Sequence, residues 1–194
     1  MPREKIFKKE EVLISATNLF WTKGFNQTSI HDLVKESGVN RASLYNTFHD
    51  KETLFIHCFL MYRAEVVKYV NEVMQSEKTT KNAFRAFFDS LYEVYEKENG
   101  KGCLICNSYA ELLPTENKVI IELLNETKKI ITNLFYKALQ KAKLKKELKK
   151  NIDIALMTES IYTTMVGTAI LSKLERKETI HNKTLHHYLS IIFK

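Results

Sequence analysis

The chain has 194 residues, 44% of them hydrophobic, a formal net charge of +7 and three cysteines. That is enough to bury a core, as one large domain or as a small domain joined to a larger one. No uninterrupted apolar run reaches the roughly 18 residues of a membrane span, and an odd cysteine count in a chain this long does not read as a disulfide framework.

The opening Met1-Pro2-Arg3-Glu4-Lys5 lacks the apolar centre of a signal peptide, so the expected compartment is the cytosol. The positive charge is uneven. Residues 1–60 hold eight Lys/Arg against seven Asp/Glu, whereas seven lysines between Lys137 and Lys150 face only Glu147. A run of that kind is usually a solvated helix end and loop. Net charge therefore does not by itself point to nucleic acid.

Only five glycines and two prolines occur, mostly between periodic segments, which marks an all-helical protein with short connections. A first helix is predicted from about Lys8 to Lys23, with Val12, Leu13, Ala16, Leu19 and Phe20 on one face and Gly24 as its stop. Thr28 or Ser29 caps a second, and Ser29-x-x-Asp32 resembles a capping box with a shortened acid. Gly38 stops it, and Asn40 caps a third helix from Arg41 to about Phe48 that turns Leu44 and Phe48 inward. A fourth starts near Lys51 and extends to about Val73. The fifth, Thr80 to Lys97, carries the stripe Phe84, Phe87, Phe88, Leu91 and Tyr95. Gly100-Lys101-Gly102 breaks it, and a short sixth runs from Cys103 to Leu113, before Pro114. The seventh, eighth and ninth are predicted near Lys118–Lys143, Ile152–Arg176 and Ile180–Phe193, so the C-terminal part reads as a helical bundle.

Two short helices joined by Gly38-Val39-Asn40 match a helix-turn-helix spanning 29–48. The third helix commits little more than Leu44 and Phe48 to a core. Arg41, Ser43, Tyr45, Asn46 and Thr47 stay outward, and such side chains bond phosphates or base edges. The competing reading is a small bundle helix with a merely wet polar face.

Residues 24–54, with Gly24-Phe25, Thr28, Gly38-Val39, Leu44-Tyr45, Phe48 and Lys51-Glu52 at their spacings, resemble the N-terminal signature of the tetracycline-repressor (TetR) family. The similarity covers residues 6–66, and the length and nine-helix pattern fit the rest. The resemblance implies an all-α chain with a DNA-binding domain over 6–66 and an effector-binding and dimerisation domain over 67–194. It implies that Thr28 and Ser29 set hydroxyls and helix amides against phosphate. Asn40, Arg41, Ala42, Ser43 and Asn46 would enter the major groove, while Tyr45 and Lys51 would hold phosphates. Thr47 departs from the pattern, where the family often has Tyr or His. The basic leader Arg3, Lys5, Lys8 and Lys9 would reach the DNA backbone or fray.

The family's C-terminal domains diverge, so the rest is read from the residues. The eighth helix is apolar over most of its circumference, and Gly167, Ala169 and Ser172 are small enough for a second helix to approach. Tyr162, Val166, Gly167 and Ala169, with Leu185, Leu189 and Ile192 of the ninth helix, are the expected homodimer contacts. An alternative is a central helix in a monomer. Gly102-Cys103-Leu104 with Asn107 and Glu111 resembles a segment that lines the effector region in one TetR subgroup, and Cys106 is an addition to it. Phe88, Tyr92, Cys103, Cys106, Asn107, Tyr109, Phe135, Met157, Ile161 and Met165 are the expected lining for a small apolar or electrophilic effector, although ordinary core packing explains the aromatic and methionine side chains equally well. Cys103 and Cys106 would start a helix, where the macrodipole lowers thiol pKa, so a thiol switch competes with plain packing of two small hydrophobes.

No metal is expected, since one Cys-x-x-Cys lacks a second pair and His181, His186 and His187 lie far off in sequence. No cofactor and no catalytic group is expected either, because the sequence offers no P-loop, Gly-rich dinucleotide turn or nucleophile–base–acid set. A helical-bundle enzyme using Cys103, or a helical adaptor, would leave the Thr28–Lys51 pattern unexplained. The expected partner is a double-stranded DNA operator, and the expected function is a repressor that an effector releases from it.

Overall fold

The computed structural model describes residues 8–97, 101–114, 116–174 and 180–194, apart from the side chains of 95, 96 and 180–182. The readings at Arg3, Lys5, Gly100 and Arg176, and those on the side chains of Tyr95 and His181, lie outside what is described. The helices are α1 Lys9–Lys23, α2 Ile30–Ser37, α3 Arg41–Phe48, α4 Lys51–Ser76, α5 Thr80–Lys97, α6 Leu104–Leu112, α7 Lys118–Leu144, α8 Ile154–Leu171 and α9 Ile180–Ile192. Among the described residues the only β pairing is an isolated antiparallel bridge between Leu148 and Phe193.

Local chemistry sets the starts. The Ser29 hydroxyl accepts from the Asp32 amide while the Asp32 carboxylate accepts from the Ser29 amide, so the capping box is complete despite its short acid. Asn40, Asp50 and Asp153 accept in the same way from Ser43, Thr53 and Leu156, and Asn117 accepts from Val119 and Ile120. Each such cap is worth about 1 kcal/mol. Gly38, at φ 67, ends α2 in the left-handed region that glycine enters without a Cβ clash.

Phe20 meets Phe55 edge-on at 5.3 Å, and Val12, Ala16, Leu33, Leu44, Phe48 and Phe59 complete the core of the α1–α4 unit. Phe84, Phe87, Phe88, Phe135 and Phe193 fill the far part of the same continuous core. α4 joins the two parts, with Leu54, Phe55 and Phe59 buried at one end and Val70 at the other. α6 is the other bridge, since it packs on α1, α4, α7 and α8.

Glu147, the acid within the lysine run, accepts the Thr80 amide at 2.8 Å beside the start of α5. Thr158, Glu159, Ser160, Thr163 and Thr164 interrupt α8, so it holds no unbroken apolar run. By length and composition it is nonetheless apolar enough to cross a membrane; here a third of it is buried, and it packs on α6, α7 and α9.

Candidate functional site

α3 is too short to be stable alone, and it is held by Leu44 and Phe48, both fully buried. Its other face carries the expected polar set. Asn40, Arg41, Ala42 and Asn46 are exposed, and Ser43, Tyr45 and Thr47 are half-buried. The Arg41 guanidinium lies 5.6 Å from the Tyr45 ring centre, and the Thr47 hydroxyl donates to the Ser43 carbonyl at 2.9 Å. Asn40 spends its side-chain oxygen on the cap, at 2.8 Å from the Ser43 amide. Lys9 brings its ammonium 5.4 Å from the Phe48 ring centre, beside the end of α3, whereas Lys8 lies 3.6 Å from Glu11. A guanidinium and amides on one open face suit hydrogen bonds to base edges or phosphates.

Two expected phosphate contacts are placed differently. Thr28 is 1% exposed, and its hydroxyl donates to the Gly24 carbonyl at 2.6 Å. Lys51 turns its ammonium onto the carbonyls of Phe25 and Thr28, at 3.0 and 3.1 Å, and over the Phe25 ring at 4.3 Å. The physical reason is shared: the turn between α1 and α2 leaves carbonyls without helical donors, and these two side chains supply them. Ser29 is exposed, but its hydroxyl also donates to Asp32, whose carboxyl Lys23 and Ser29 hold well below the usual range. The amides of Ile30 and His31 are left as the donors of that helix end without intrahelical acceptors.

Farther from α3, an enclosed cavity of about 40 Å³ lies between α4, α5, α6, α7 and α8, lined in part by Tyr62, Phe87, Cys103, Cys106, Ile131 and Met165. The Tyr62 hydroxyl donates to the Cys103 sulfur at 3.7 Å. Hydrogen bonding from the Cys106 thiol holds Cys103 down to about 7, and the same bond, with burial, pushes Cys106 well above its ordinary value. The helix-start argument was expected to lower both thiols. It fails at Cys106, because that thiol is the donor of the pair. A wider groove of about 420 Å³ lies between α6, α7 and α8. Tyr109 lines it, donating to the Leu124 carbonyl at 3.2 Å and standing 2.7 Å from the Tyr162 hydroxyl. Burial pushes Tyr109 up to about 12.

The other expected lining residues lie elsewhere. Phe88 and Phe135 are core rings, Ile161 is fully buried and Tyr92 nearly so. Met157 accepts the Tyr188 hydroxyl at 3.1 Å. None of these five lines either cavity. Asn107 lines a third cleft, of about 320 Å³, beside Trp21 and Glu111, and its amide donates to the Lys101 carbonyl at 2.8 Å.

Five of the seven expected dimer residues are placed differently. Tyr162, Ala169, Leu185, Leu189 and Ile192 are buried inside the subunit, whereas Val166 and Gly167 are partly exposed. A helix that is apolar all round does not show which stripe turns inward. The structure does: Leu156 is 65% exposed, and Thr163, Gly167 and Ile170 follow it along α8 at helical spacing, with Leu174 exposed in the turn beyond and Ile191 exposed on α9.

Residues 12–58 match the family described as bacterial regulatory proteins, tetR family, and residues 81–188 match the tetracyclin repressor-like C-terminal domain. The uncharacterized HTH-type transcriptional regulator YezE of Bacillus subtilis is 27% identical over 175 residues, covering 89% of this chain and 90% of its own. Among solved structures, the reduced form of E. coli NemR superposes with a TM-score of 0.85 at 19% identity, over 94% of this chain and 95% of that one. A cysteine mutant of the TetR family regulator CifR, complexed with 26-bp operator DNA, superposes with a TM-score of 0.86 at 19% identity, over 98% and 99%.

Proposed function

Because the chain belongs to the TetR family and is a helix-turn-helix DNA-binding transcriptional regulator, we propose that it is a repressor released from a palindromic operator by a small molecule. The observation that carries this reading is the α3 face, where Arg41 and Asn46 are exposed on a helix anchored by Leu44 and Phe48. Asn40, Arg41, Ala42, Ser43 and Asn46 read base edges, with Tyr45 and Thr47 at the backbone, and the α2 start with Ser29 adds phosphate contacts. Thr28 and Lys51 act one step back, by fixing the turn that presents α2. The DNA-binding unit ends within α4, near residue 66.

Two copies meet through the stripe Leu156, Thr163, Gly167 and Ile170 of α8, Leu174 in the turn after it, and Ile191 of α9, which gives one α3 per half-site. Half-site centres then lie about 34–36 Å apart or a little more. Selection from random duplexes at moderate salt tests this. A two-fold enriched sequence supports the reading, and no enrichment ends it.

The effector is small and apolar, and it occupies the Tyr109–Val166 groove or an enlarged Cys103–Met165 cavity. It releases DNA by preferring the conformation that does not fit the operator. A ~100-fold release requires about 2.7 kcal/mol of that preference.

A second reading rests on the lowered thiol of Cys103 beside Cys106. An electrophile alkylates the Cys103 thiolate, or peroxide takes two electrons and two protons from the two thiols, its O–O bond breaking to give two waters as the Cys103–Cys106 S–S bond forms. Mild oxidant added to operator complexes of wild type, Cys103→Ser and Cys106→Ser separates the two. Release of wild type alone favours the thiol, and undisturbed wild type removes it.

A further inference from the structure

The turn that joins α1 to α2 is held from two sides by opposite charges. Its carbonyls, at Phe25 and Thr28, accept from the Lys51 ammonium at the start of α4. Its amides, at Phe25 and Asn26, donate to the two carboxylate oxygens of Glu111, at 3.0 and 2.6 Å, in the last turn of α6. Each oxygen takes one amide, so the grip fixes orientation as well as distance. Residue 24 lets the carboxylate come this close. A Cβ there would lie 2.7 Å from a Glu111 oxygen, and φ of 84 is a conformation that L side chains rarely adopt.

The other end of α6 is tied to α1 as well. The Trp21 indole donates to the Gly102 carbonyl at 3.0 Å, and the Lys101 ammonium donates to Asn18 at 2.8 Å. The α6 segment thus touches the α1–α2 unit at both ends, while Ile105 and Cys106, in its first turn, line the cavity between α4, α5, α7 and α8. The sequence singles out Glu111 only as the end of the Gly-Cys-Leu…Asn…Glu segment, and nothing in it sets that residue against a turn 85 residues away at Asn26.

We propose that Glu111 is the positioning residue through which α6 sets where the α2–α3 unit stands relative to the effector-binding bundle. A ligand or thiol change at the cavity then reaches α3 by moving α6 and the turn it grips. The carboxylate is suited to this, because charged hydrogen bonds are strong enough to hold a turn yet break as a pair when geometry slips.

The test uses the full chain and Glu111→Gln, which keeps shape but replaces one accepting oxygen with an amide that cannot accept. Amide hydrogen exchange at Phe25 and Asn26 should quicken about tenfold or more, with α7 and α8 unchanged. The second readout is binding to duplexes whose half-sites are moved apart one base pair at a time. Wild type should prefer one spacing, and Glu111→Gln should bind neighbouring spacings nearly as well. A merely structural role would weaken binding at every spacing alike. Unchanged exchange overturns the proposal, and so does a spacing preference that stays sharp while exchange quickens. The spacing arm rests on the two-copy reading above. If wild type itself shows no spacing preference, that reading fails and exchange alone decides Glu111. Should Glu111→Gln not fold, Glu111→Asp keeps the charge, falls one methylene short of spanning both amides, and carries the same two readouts.

Discussion

α3 and α6 are helices of 8 and 9 residues, and they use that length in opposite ways. α3 buries two side chains and turns Arg41, Ala42 and Asn46 outward, so it is a handle anchored by one edge. α6 buries Leu104, Ile105, Cys106, Ser108 and Leu112, and its chemistry is enclosed. The first can meet a large, rigid partner without moving. At its first turn the second meets only a molecule that enters the fold, and that entry must displace neighbours packed to interior density, whereas Tyr109 farther along it borders an open groove. On the proposed reading, α3 is the surface reader and α6 the sensor, a division of labour that a switchable DNA-binding protein requires.

The contrast breaks most completely at the anchor of α3. Phe48→Ala empties a site that is 0% exposed and should cost about 3–5 kcal/mol, a large share of a domain's whole stability. Denaturant titration should show that loss, and operator binding should vanish with it. Stability within 1 kcal/mol of wild type would mean that α3 is held by something other than its buried edge.

Changing the handle instead of its anchor should separate binding from folding. Asn46→Ala should cost about 1–3 kcal/mol at one base pair and relax preference there. Denaturation midpoints should barely move, because the side chain is exposed. Lys51→Ala should do the reverse of a surface lysine. It removes the donor to two turn carbonyls and should weaken every operator along with thermal stability.

What the sequence made legible follows the same division. The helix-turn-helix, its caps and its buried pair could be read because short-range spacing determines them: Ser29 with Asp32, Asn40 with Ser43, Leu44 with Phe48. The roles of Thr28 and Lys51 could not, since nothing local says that the turn's carbonyls call on side-chain donors. Contacts between residues far apart in the chain escaped altogether, as at Glu111 and Asn26 or Tyr109 and Tyr162. In α8 the helix itself was plain, but its inward stripe was not, because both stripes are apolar.

The sensor end is sharpened by pH. Cys103 is held down to about 7 chiefly by the Cys106 hydrogen bond, so its alkylation rate should reach half its plateau near pH 7. Cys106→Ala removes that donor and should move the midpoint up, slowing reaction at pH 7 about tenfold. The sign for stability follows from the lowered folded value. The thiolate's contribution is full above the unfolded value near 9 and is lost as pH falls through about 7. A midpoint that stays put in Cys106→Ala would show that some other group lowers Cys103.

The smallest effect should come from Gly167, and it decides which stripe of α8 meets the second copy. Ala169 and Gly167 are two residues apart and both small, so sequence treats them as one contact. They are not equivalent: Ala169 is 0% exposed inside the subunit, whereas a Cβ built on Gly167 meets nothing within 4 Å. A charge at 169 would therefore unfold the subunit rather than split a dimer. At 167 a methyl group has room, and Gly167→Ala should raise the stability of the isolated subunit by about 0.4–1 kcal/mol through the unfolded chain's lost freedom. In the assembled protein the outcome depends on how closely the partner helix approaches. Sedimentation of Gly167→Ala and Gly167→Glu reads this directly. If the Leu156–Leu174 stripe is the interface, alanine should leave the dimer intact or slightly weakened, and glutamate should dissociate it without lowering the denaturation midpoint of the subunit. A dimer that persists with glutamate at 167 would move the interface off this stripe of α8 and onto α9.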